Sequence, residues 1–137
     1  MDDGRLYSAQ TSKTAESFIK AVRENVSEFG FGIRAVFDLK KMYEEQGVEV
    51  AEDFEAYSIL LCNFQRSYIS MRRNPKRAAV LLLPKQIVVR DNGDGVIVEY
   101  LPFSRSQILA ALPEDESFAD SLHKSCQKIV RLIDGCR

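Results

Sequence analysis

The stretch AAVLLLPKQIVVRDNGDGVIVEYL, residues 78–101, decides the fold. Two apolar runs flank DNGDG, whose Asn and Gly residues accept the positive φ of a tight reversal, so the runs pair as an antiparallel hairpin. Pro84 cannot donate to a ladder. The first run is therefore expected as one long buried strand over 78–90 with a bulge or an edge position at Pro84. A hairpin among interspersed helices favours an α+β layer over a doubly wound parallel sheet.

Upstream, RLYSAQ (5–10) predicts a first strand, and the hydroxyls of the following TSK are expected to cap a helix. Ala15, Phe18, Ile19, Val22, Val26 and Phe29 recur at helical spacing, and Gly30 supplies the left-handed stop. FGIRAVFD (31–38) predicts a strand with Ile33, Ala35 and Phe37 on one side and Arg34 and Val36 on the other. LKKMYEEQ predicts a short helix, followed by an acidic loop, and AYSILLCN (56–63) predicts the next strand. Asn63 caps a helix from Phe64 to about Asn74, which Pro75 ends. Beyond the hairpin, SRSQILAAL predicts a helical turn or two, and a final amphipathic helix begins near Ser117. The resulting order is β-α-β-α-β-α-β-β-α, with helices packed on one face of a mostly antiparallel sheet and residues 1–137 forming one domain.

The composition is that of a globular chain, 45% hydrophobic and 28% charged, and no apolar run approaches a membrane span. MDDGRLYSAQ lacks the apolar region of a secretory leader, so the expected compartment is the cytoplasm. Three cysteines without CxxC spacing, Cys62, Cys126 and Cys136, favour reduced thiols over a disulfide framework or a structural metal site. His123 and Cys126 supply two metal ligands at most, so neither a metal nor a cofactor is expected. The net charge of −1 hides an asymmetry: residues 64–90 carry seven basic and no acidic side chains. Five of the seven, Arg66, Arg72, Arg73, Lys76 and Arg77, fall on the helix after Asn63 and the turn beyond it. With Phe64, Tyr68 and Met71 taken as the inner side, most of these cations face outward, as planar donors for a small anion. Nucleic acid is not expected, given the balanced net charge and the lack of a reading motif.

Cys62 and Asn63 complete the candidate set. Strand parity puts Tyr57, Ile59 and Leu61 toward the helices, and Ser58, Leu60 and Cys62 on a half-polar face suited to a dimer contact or shallow pocket. There Cys62 either fills a gap or, beside Arg66 and a helix amino terminus, acts as a thiolate.

Taken together, the helix ending in EFGFGI, the strand ILLCN and the segment AAVLLLPKQIVVRDNGDGVIVEYLPF resemble the bacterial and archaeal family called domain of unknown function 302, over about residues 6–133. The family pattern has Cys-Asn-Pro where this chain has Cys62, Asn63 and Phe64, and Leu-Pro-Cys where it has Leu83, Pro84 and Lys85. Lys85 takes the place of a second thiol, so any two-thiol role stops short of this chain. The resemblance implies an α+β fold of the TATA-binding-protein-like group and a homodimer, with no established activity. The expected function is a homodimeric module binding a small anionic ligand or a protein partner. Cys62, Asn63, Arg66, Arg72, Arg73, Lys76 and Arg77 are its candidate residues. The alternative is a thiol-dependent enzyme or redox protein using Cys62 and Asn63.

Overall fold

A computed structural model describes residues 4–91 and 93–137. Five strands, β1 (Tyr7–Thr11), β2 (Gly32–Asp38), β3 (Ala56–Cys62), β4 (Lys85–Asp91) and β5 (Val96–Tyr100), form one open sheet in the order β1-β5-β4-β3-β2. Every neighbouring pair is antiparallel. The hairpin quoted above is β4–β5, with Asp91 opposite Val96. At its turn the Gly93 amide donates to the Asp91 carboxylate at 2.8 Å, while Asn92 lies outside the described residues.

Helices α1 (Ala15–Asn25) and α6 (Glu116–Cys136) lie on one face of the sheet. Phe18 and Val22 of α1 and Ile129, Leu132 and Ile133 of α6 meet Ile59, Leu61, Ile87, Val89 and Val98 in the main core. Tyr57, Ile59 and Leu61 do face the helices, as parity requires. Helix α1 is capped by Thr14, just past the expected TSK segment, and its hydroxyl accepts from the Ser17 amide at 3.1 Å. A 3-10 turn over 26–29 then ends at Gly30, whose φ of 84° is the left-handed stop.

Three segments depart from the sequence reading. In β2 the register slips between Ile33 and Ala35, so the extra residue reverses the alternation beyond it. Ile33 and Val36, not Ile33, Ala35 and Phe37, pack against the core. With apolar side chains at four of the five positions 33–37, alternation alone cannot locate such a slip. The long strand over 78–90 is instead a short helix, α4 (Ala78–Leu81), a turn, and β4. Pro84 stands just before β4, where its missing N–H costs no ladder bond. The run AAVLLL fits a buried strand or a helix equally, and its alanines favour the latter. In α3 (Phe64–Arg73) no side chain is buried: Phe64 is 56% and Tyr68 65% exposed, and the inner side is Ser67, Ser70 and the half-buried Met71.

A second core, Leu81, Ile108, Phe118, Ala119 and Leu122, ties α4 and α5 (Arg105–Ala111) to the first half of α6. Helix α5 opens on a capping box between Ser104 and Gln107. Helix α2 (Leu39–Glu45) is capped by Asp38 and buries no side chain. None of the helices of the described residues is long and apolar enough to cross a membrane.

Candidate functional site

Between the two cores, α3 and α6 stand apart and enclose a cleft of about 490 Å³. Its position follows from the two corrections above. With α3 burying no side chain and β4 starting only at Lys85, polar groups share the space between the helices with apolar ones. Ser67 and Ser70 face it from α3, and Ser117, Ser121 and Ser125, spaced four apart, face it from α6. Phe31, Leu81, Phe118 and Leu122 supply its apolar surface.

Asn63 fixes where α3 begins, since its side-chain carbonyl accepts from the Arg66 amide at 3.1 Å. Arg66 then reaches over the cleft and donates from Nη2 to the Ser121 hydroxyl at 3.1 Å. Arg73, two residues before Pro75, lines the cleft and has no ion-pair partner among the described residues. Arg77 is held by another element. It donates from Nε and Nη2 to the two carboxylate oxygens of Asp115 at 2.7 and 2.8 Å, and its guanidinium lies 5.0 Å from the Phe118 ring centroid. Asn74 also donates to Asp115, at 3.2 Å. The hydrogen bond from Arg77 holds the Asp115 carboxyl below the usual aspartate range.

Lys85, absent from the candidate set, opens β4 opposite Leu61 and so points to the helical side. It is 8% exposed, and among the described residues its ammonium makes one hydrogen bond, from Nζ to the Leu81 carbonyl at 3.2 Å. Burial pushes the ammonium below the ordinary lysine range; the nearby Cys126 and Cys62 thiols oppose that shift and Arg34 adds to it. Cys126 also adjoins the buried Tyr100 phenol, whose pKa desolvation raises.

The cleft therefore brings together Cys62, Asn63, Arg66, Arg73 and Arg77, and leaves out Arg72 and Lys76, which stand on the exposed side. Cys62, expected on the far side of the sheet, instead helps wall this cleft, because β3 ends there and the chain turns at once into α3. His123 is not among the lining residues, so no histidine faces Cys62 across it. Among the described residues no cluster of three His, Cys, Asp or Glu could hold a metal ion. Two sequence signals pointed at what was missed. The serines at 117, 121 and 125 keep the spacing of one helix face, and Lys85 is the lone charge within the apolar segment 78–89.

The model of the family described as domain of unknown function DUF302 matches residues 7–134. The chain belongs to this family. A crystal structure of an uncharacterised conserved DUF302 protein from Bacillus stearothermophilus shares the fold, with a TM-score of 0.72 at 17% identity over 96% of this chain and 98% of that one. No curated protein matches the chain. The segments around Cys62 and Lys85 thus converge here on one cleft. Nothing in this arrangement favours a thiol-dependent reaction.

Proposed function

We propose that this DUF302 chain binds a small anion in the cleft between α3 and α6. One observation carries the reading: among the described residues the cleft is lined by four cationic side chains, Arg66, Arg73, Arg77 and Lys85, and by no acidic one. Asp115 neutralises Arg77 from outside the lining, which leaves Arg66 and Arg73 at the exposed rim and Lys85 within. Guanidinium groups pair bidentately with carboxylates and phosphates, and serine hydroxyls on both walls donate to the remaining oxygens. A face meant only for solubility mixes its signs.

Calorimetric titration with inorganic phosphate and with succinate tests this. Saturable binding is expected, weakened about tenfold by Arg73→Gln and left unchanged by Arg72→Gln. Heats that do not saturate, or equal effects of the two variants, would refute the cleft as the site.

The partner in this reading is a second copy of the chain. The outward sheet face carries half-buried Leu60, Val88 and Ile97 and exposed Phe37 and Leu101, and none of these joins either core. Its Arg90 and Glu99 pair with each other at 2.7 Å, so that ion pair sets no net charge against a twin face.

A further inference from the structure

Lys85 is an unusual floor for an anion site. An ammonium has three donors and no acceptor, yet here one donor is used, on the Leu81 carbonyl, and no described carboxylate pairs with it. The groups acting on it are two thiols and a guanidinium. A charge so placed is expensive, and burial lowers the pKa of the amine that carries it. On giving up its proton, a lysine amine in a cleft is a nucleophile for carbonyl carbon.

We infer that Lys85 forms a reversible imine with the ligand of this cleft, which is therefore a small carbonyl compound that also carries a carboxylate or phosphate. The inference rests on the anion reading above: Arg66 and Arg73 hold the charged end at the rim, and the carbonyl is carried inward to Nζ. The lone pair on Nζ attacks the carbonyl carbon as one N–H proton passes to the carbonyl oxygen. The resulting carbinolamine then loses its hydroxyl together with the second N–H proton as water, and the C=N bond forms. Amine plus carbonyl gives imine plus water, with nothing oxidised or reduced. Serine hydroxyls of α3 and α6 line the same cleft and supply donors for the carbinolamine oxygen.

The experiment uses the full chain with glyoxylate in one arm and glycolaldehyde phosphate in the other, each trapped with cyanoborohydride and mapped by peptide mass spectrometry. Trapping at Lys85 at least about tenfold faster than at any exposed lysine is expected, because burial favours the neutral amine and the rim arginines hold the anionic carbonyl compound beside it. Inorganic phosphate in excess should suppress it, and Arg73→Gln should slow it. The faster arm names the anion. Adducts spread over surface lysines with Lys85 no faster would overturn the imine. If phosphate still binds saturably in that case, the anion reading survives alone; if it does not, both fall.

Discussion

Arg77 and Lys85 face one cleft, and their charges are resolved in opposite ways. Arg77 has a bidentate carboxylate, 12% exposed against its own 14%, so removal of that partner strands a mostly buried cation. Asp115→Ala should lower stability by about 2 kcal/mol in urea unfolding, somewhat less than for a fully buried pair. Because the folded Asp115 pKa lies below the ordinary 3.8, this contribution is complete above about pH 4 and lost as pH falls through the lowered value. Asp115→Asn should flatten that acid limb. No described carboxylate pairs with Lys85, so Lys85→Met, which keeps the volume and removes the buried ionisable amine, should raise stability at neutral pH by about 1–2 kcal/mol. In the wild-type chain stability should climb as pH rises from the depressed Lys85 value toward 10.5, since the unfolded chain holds that proton more tightly through this window; the methionine variant should lose the climb.

At the scale of the element, α3 differs from α1 and α6 in burying nothing, so its order depends on its ends. Asn63 and Pro75 were both legible as those ends, because capping and the restriction before proline are local chemistry. Asn74 is indeed extended, with ψ of 99°. Asn63→Ala should cost about 1 kcal/mol and speed amide exchange throughout α3, while leaving α6 protected. Exchange rising equally in α6 would mean that α3 does not open on its own. Its inner face was not legible. Phe64, Tyr68 and Met71 share the spacing of an apolar stripe, and only the polar cleft beneath turns the serine side inward. Helix α4 was misread for a related reason, since an apolar run too short for periodicity fits either element.

At the scale of the whole molecule, one sheet face is covered by helices and the other is not. In the proposed homodimer that second face meets its twin, and native mass spectrometry should show two chains. Val88→Lys or Ile97→Lys should yield folded monomer, because a buried lysine meeting its own copy repels it. A wild-type monomer at tens of micromolar, or a dimer indifferent to both changes, would remove this face from the interface.

What the sequence determined by itself is what neighbouring residues settle among themselves. The hairpin, the helix caps, the stop at Gly30 and the two amphipathic helices follow from short-range sterics and periodicity, and with them comes the mixed α+β layering. What only the tertiary structure decided is which polar groups share a space. Lys85, Arg73 and the serines of two helices lie up to 58 residues apart along the chain, and a one-residue slip in β2 reverses a face. No local preference encodes either, because the energy that fixes them comes from packing distant segments together.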